Sequence, residues 1–473
     1  MIRVGFGTAC ITPQPGKEIP GLFERRFALG VYDDLYVRAV VVDDEERCVA
    51  LVHADAIVVP EPVVAEARKE IERLCAVPGK NCMVAATHTH SGGPICSLLT
   101  SEADSEYATF VARQIASAVC EASRRAQAGF VGVGAAHASG VAFNRRFVMR
   151  DGKHRTHPGK LNPDMVRPAG PEDSSVTVVS FYDPDTLRPQ GCIVNFACHA
   201  THMNGYLFSA DYVKWVVDTL QAVYGRGFGV VYLNGACGDV TQVDNQSPRP
   251  VEMGPYWAER TGRVVGAAAL QAIARTDPYN EATVAARVAT LRAAVRKTPE
   301  PALKAARELL ARKPVTPRDV ETVFAREVLE VEKIRRRTPT RPLEVLGIRI
   351  ADALFWSAPG ELFQAFALAV RDASPFPHTC CVELACGYNG YICTDEAFAG
   401  GGYEVRTARS SLLAPETGAA LVKTASRLAS DMFRQAEPEI AALPDRRVWP
   451  VGDGAALDGI NQLARSKRVT SST

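Results

Sequence analysis

No window of this 473-residue chain approaches the roughly 18 to 20 uninterrupted apolar residues of a membrane-spanning helix, so the chain is not expected to cross a bilayer. An excess of charge of one sign is also missing. The formal net charge of +1 gives no broad basic field for nucleic acid and no strongly acidic one, which leaves a small or amphiphilic molecule as the better partner. The 13 cysteines include no Cys-x-x-Cys pair, and Cys380 and Cys381 are adjacent, so cysteine-based zinc is a weak reading. Their odd count, and their scatter through core-like segments at Cys192, Cys198 and Cys237, fit reduced thiols in a cytoplasm better than a disulfide framework. Met1 to Thr12 lacks the basic start and long apolar stretch of an export signal and reads as a short strand running into Pro13 and Pro15. Internal repeats and low-complexity blocks are not seen.

What is present is enough apolar mass, 47% against 23% charged residues, to bury a sizeable core in one large α/β unit. Two β-branched runs, Tyr36 to Val42 and Val49 to Val52, flank the acidic turn Asp43 to Glu46. Helical spacing follows at Glu61 to Leu74, then a short buried strand at Cys82 to Ala86. The alternation continues through a helix at Glu106 to Ala126 and strands at Gly129 to Ala136, Val176 to Tyr182 and Gly191 to Cys198. It ends with a helix at Asp211 to Tyr224 and a strand at Gly229 to Leu233. This predicts an α/β fold with mixed central β-sheet layers flanked by helices. Residues 299–341 break the pattern with two charged helical stretches, read as an inserted, exposed helical hairpin. Strands at Leu343 to Ile350, Ala353 to Ser357 and Thr379 to Leu384 then resume, with helices at Glu361 to Asp372 and Pro415 to Ala436. The expected organisation is one catalytic unit over 1–445 and a C-terminal extension over 446–473, whose end from Leu463 reads as a disordered tail.

Three polar turns follow apolar strands. Thr87-His88-Thr89-His90-Ser91-Gly92-Gly93 stands where active-site residues of α/β sheets gather, and histidines two apart on an extended segment share a side. They can face one cavity, one on a metal and one on substrate, or be two exposed loop histidines. His199-Ala200-Thr201-His202 repeats the topology, with His199 the better ligand candidate and His202 divided between support and solvent; Ser209 to Asp211 can cap the next helix. Asn234 to Thr241 lets backbone N–H groups approach a ligand, or is simply a tight turn. Asp55 and Asp211 read as groups that orient histidines. Histidines with a later carboxylate describe a borderline metal such as zinc, and the residues alone point to a metallohydrolase.

The same turns, in the same order, resemble the neutral, non-lysosomal ceramidase family from about Arg3 to Ala436. The matching stretches are His88 to Gly92, His199, Gly238-Asp239-Val240-Thr241, Pro359-Gly360-Glu361, Tyr391-Ile392-Cys393-Thr394, Tyr403-Glu404 and Asn144-Arg145. The resemblance implies Zn(2+) bound by His88, His199, Glu361 and Tyr391, with proton transfer by His90 and oxyanion stabilisation by Tyr403 and Arg145. It further implies that Asn144, Gly238, Asp239 and Thr241 contact substrate, a small or lipid-like N-acyl compound whose amide bond is hydrolysed. Thr241 where the family has serine, Phe398 where it has tyrosine, and the order Gly92-Gly93-Pro94 depart from the pattern and imply altered recognition. A non-catalytic metal- or ligand-binding protein and a zinc hydrolase of esters or lactones are the competing expectations.

Overall fold

A computed structural model describes residues 2–278, 282–316 and 319–442. The expected extension over 446–473, with its tail, lies outside the described residues. The large sheet contains β1 (Ile2–Cys10), β2 (Tyr36–Asp43), β3 (Cys48–Ala54), β4 (Cys82–Ala86), β5 (Gln127–His137), β6 (Ser175–Tyr182), β7 (Pro189–Phe196) and β8 (Gly229–Asn234). Its spatial order is β8-β7-β6-β5-β1-β2-β3-β4. The two outermost pairs, β7/β8 and β3/β4, are parallel, and the inner pairs are antiparallel. A second sheet runs β9 (Val284–Ala294), β10 (Thr340–Ile350), β11 (Ala353–Ala358) and β12 (His378–Glu383), with β11/β12 parallel.

The near-continuous apolar strands are explained by burial on both faces. On β2, Val40 and Val42 enter the core between the sheets, where they meet Leu346, Ile348 and Val382. Val37, Ala39 and Val41 point the other way, toward α1 (Glu61–Leu74) and α2 (Ser105–Arg124). Farther along, α3 (Tyr212–Tyr224) and α4 (Pro255–Ala274) cover β6, β7 and β8. The second sheet carries α7 (Gln364–Ala373) and α8 (Thr417–Ala442) on its outer face, giving a helix-sheet-sheet-helix sandwich. The large sheet also curls: the Tyr232 N–H on β8 donates to Nδ1 of His53 on β3 at 2.8 Å, although these strands lie near opposite ends of the strand order. That curl brings the carboxyl ends of β4 and β7 together.

Between β9 and β10 stand α5 (Glu300–Arg312) and α6 (Val320–Arg337), the two helices of the expected hairpin. Its second arm is not simply exposed as expected. Val323, Phe324, Glu327 and Val331 are buried, because one face of α6 packs toward the loops around Leu99 and Arg409. The 13 cysteines are free thiols. No helix among the described residues is long and apolar enough to cross a membrane.

Candidate metal centre

Two strand ends deliver three imidazoles to one point. His88 and His90 follow β4, His199 follows β7, and their candidate ligand nitrogens all lie within 4.8 Å of one another. Ring centroids are 4.4 Å apart for His88 and His199 and 4.9 Å for His88 and His90. Simple strand alternation does not aim them, contrary to expectation. His88 has a φ of +66°, a left-handed conformation that turns the chain before His90 pairs back, its N–H donating to the Ala200 carbonyl at 3.1 Å.

Each ring has its Nδ1 against a backbone carbonyl: His88 on Ile57 at 2.8 Å, His90 on Gly21 at 3.1 Å and His199 on Cys237 at 2.6 Å. A carbonyl only accepts, so each Nδ1 carries the proton and a neutral ring turns an Nε2 lone pair inward. For His199 a second contact agrees, since the Arg145 guanidinium, which only donates, lies 3.1 Å from its Nε2. The Nε2 atoms of His88 and His90 are buried without a hydrogen-bond partner.

Glu361 supplies the carboxylate. Its Oε2 is 3.4 Å from Nε2 of both His88 and His199 and has no hydrogen-bond partner, while its Oε1 accepts from the Tyr388 hydroxyl at 2.9 Å. The expected position at a helix start is corrected. Glu361 and Leu362 form a short ladder with Tyr391 and Ile392, the Glu361 N–H donates to Gly390 at 2.9 Å, and α7 begins only at Gln364. The ladder pairs Glu361 directly with Tyr391 and so joins the two expected ligands by backbone register. The Tyr391 hydroxyl accepts from Arg145 at 3.1 Å.

Burial alone would raise the pKa of Glu361, but the facing His199 and His88 hold it well below the usual carboxylate range. Burial pulls His88 down and Glu361 more than offsets this, so His88 is raised. His199 falls to about 3 through burial, Arg145 and His88, and burial with the other two histidines puts His90 well below its ordinary value. The buried Nε2 atoms of His88 and His90 and the Glu361 Oε2 lack hydrogen-bond donors, which suits a metal ion, and imidazole with carboxylate is a zinc-compatible donor set.

Arg145 organises the rear of the site. It also donates to Glu404 at 2.8 Å and to the Gly238 carbonyl at 2.7 Å; Glu404 in turn holds Arg146 and Thr156. Asn144, Asp239 and Thr241 lie behind it, with bonds to other protein groups. Asn144 Nδ2 donates to Asp239 at 2.8 Å, Asp239 accepts from Gln364 N–H at 2.9 Å, and the Thr241 hydroxyl accepts from Val243 N–H at 3.2 Å. Gly238 has no room for a side chain, since a Cβ there would stand 2.5 Å from the Glu361 carbonyl. Tyr403 closes one side, its ring 5.8 Å from Tyr391 and 6.1 to 6.2 Å from Phe23 and Phe324.

Asp55 and Asp211 do not orient the three clustered histidines. Asp55 accepts from Tyr36 N–H at 2.8 Å and faces His53, whereas Asp211 caps α3 and holds His202 at 2.6 Å. His202, buried between Asp211 and Thr261, bonds to them through both ring nitrogens. Tyr388 and Glu383 are site-adjacent residues that sequence reading missed. Tyr388 sits in Gly387-Tyr388-Asn389-Gly390, one more polar turn after an apolar strand, and that was the available signal.

No family model matches the chain, and no curated protein matches it. Among solved structures it is similar to neutral ceramidase from Pseudomonas aeruginosa, with a TM-score of 0.67 and 20% identity, covering 91% of this chain and 75% of that one. It is similar also to a ceramidase complexed with C2, with a TM-score of 0.68 and 20% identity over 92% of this chain and 75% of that one. At this identity the likeness concerns architecture, and the chain therefore has the fold of neutral ceramidase.

Proposed function

We propose that this chain is a zinc-dependent hydrolase that cleaves the amide bond of an N-acyl substrate, ceramide-like or smaller. The observation that carries the reading is the set of three imidazoles tied by Nδ1 to carbonyls, with lone pairs converging on the Glu361 carboxylate. Such ties to the far ring nitrogen are the usual support of metal-binding histidines. The shared fold supports the substrate class, since both solved structures are ceramidases and one was complexed with C2.

In this reading His88, His199, Glu361 and Tyr391 hold the ion. Zinc in that donor set supplies a Lewis acid and a water acidic near neutral pH. His90 is kept neutral by burial, so its inward Nε2 can accept a proton from the attacking water and return it to the leaving amine. Burial raises the Tyr403 phenol, which therefore stays protonated and able to donate to the carbonyl oxygen. Arg145 stays a cation, and with His199 serving as a metal ligand its NH1 would be left to donate to the carbonyl oxygen. Phe23, Phe324 and Tyr403 offer an aromatic wall for an apolar substituent.

The test is hydrolysis of N-acyl amides and matched esters by protein stripped with a chelator and then reloaded with zinc. Activity should vanish and return, and His88→Ala should lose both zinc and turnover. Zinc retained at one equivalent without hydrolysis of any acyl substrate would favour the non-catalytic alternative. Ester cleavage without amide cleavage would favour the esterase one.

A further inference from the structure

Glu383, the last residue of β12, is fully buried and has no cation partner in its hydrogen bonds. Its Oε2 accepts two backbone N–H groups, Cys237 at 2.9 Å and Leu362 at 3.0 Å, and its Oε1 faces the Cys237 thiol at 2.8 Å. These two segments carry the site. The Cys237 carbonyl receives the Nδ1 proton of His199, and Leu362 directly follows Glu361. A further bond, Gly238 N–H to the Leu362 carbonyl at 2.9 Å, runs beside the carboxyl.

We propose that Glu383 is a positioning residue that clamps the His199-supporting turn to the Glu361 ladder and so sets the spacing of two metal ligands. The inference rests on the zinc reading above, but the clamp itself is a property of the polypeptide. Water cannot replace Glu383 as their partner, because Cys237, Leu362 and Glu383 are all fully buried; without Glu383 each N–H becomes a buried unmet donor. Burial pushes the Glu383 carboxyl up to about 8, consistent with a group that works as a hydrogen-bonding joint and needs no counter-charge.

Glutamine can make the same bonds, its carbonyl oxygen taking both N–H groups and its amide facing the Cys237 sulfur. Leucine keeps much of the volume and none of the acceptors. Glu383→Gln should keep zinc affinity within about threefold of the parent, whereas Glu383→Leu should weaken it by about 10- to 100-fold, the range seen when support of a metal ligand is lost. The kcat of Glu383→Leu should fall more than its KM rises. A second readout needs no metal: with histidine labelled by nitrogen-15, the His199 Nδ1 proton bound to Cys237 should exchange slowly in the metal-free parent and Glu383→Gln, and be lost in Glu383→Leu. Unchanged zinc affinity together with an unchanged His199 proton in Glu383→Leu overturns the clamp. If the parent binds no zinc, the zinc reading fails and the His199 proton alone decides the clamp.

Discussion

His88 combines a ligand-like side chain with a backbone that L-residues avoid, at a typical cost of about 1 to 2 kcal/mol. Glycine would relieve that cost and alanine would keep it. The metal-free His88→Gly protein should therefore melt above His88→Ala by a difference worth about 1 kcal/mol, although neither should hold zinc; equal melting would mean the turn is not strained. Asp33 gives a pH effect away from the site. Burial raises its carboxyl to about 6 against hydrogen bonds from Ser209 and Ala210, while an unfolded aspartate titrates near about 3.9. Between those values the folded chain keeps a proton that the unfolded chain has released, so this group's contribution to stability falls as pH rises from about 4 through 6. Asp33→Asn can accept the Ala210 N–H on its carbonyl oxygen and donate its amide to the Ser209 hydroxyl, and should flatten that part of a melting-temperature profile. The three clustered histidines were legible because their side chains are spelled out in short motifs. The carbonyls of Gly21, Ile57 and Cys237 that orient them were not, since every residue carries a carbonyl and only tertiary structure says which one faces a ring.

At the scale of elements, α6 shows how charge misleads. Glu327 looks like any surface glutamate in sequence, yet it is fully buried and meets Arg409 through bonds of 2.6 and 2.9 Å, also accepting from the Arg409 N–H at 3.0 Å. Removing one partner of such a pair strands the other, so Glu327→Ala should cost about 3 kcal/mol in chemical unfolding. Phe324, three residues earlier, packs at a steep angle against the rings of Phe23 and Tyr403. If Phe324 lines the substrate wall, Phe324→Ala should raise KM for long apolar acyl groups more than for short ones; a uniform loss across chain lengths would assign it to packing alone. Strands and most helices were readable from periodicity because burial on two faces leaves continuous apolar runs and burial on one face leaves a stripe. The short ladder of Glu361 with Tyr391 was not readable, as two residues carry no period.

For the molecule as a whole, the site depends on how the sheets are joined. Asn195 on β7 donates to the Leu233 carbonyl on β8 and to the Cys381 carbonyl on β12, each at 2.9 Å, and so ties the two stacked sheets together. Asn195→Ala should lower stability by about 2 kcal/mol and weaken metal retention in parallel, a pairing readable by melting with and without zinc. The α/β class and its layers followed from the alternation of elements, but the curl that places β8 against β3 did not, because sheet closure is written in no local pattern. The pairing of Glu361 with Tyr391 has a last consequence during synthesis. His88 and His199 emerge from the ribosome long before these two residues, so under the proposed ligand set an ion met by the nascent chain would find only part of its site. Tight capture would then wait for the Glu361–Tyr391 ladder, which can close only after the last strand of the second sheet is made, and would mark a finished molecule apart from a truncated one.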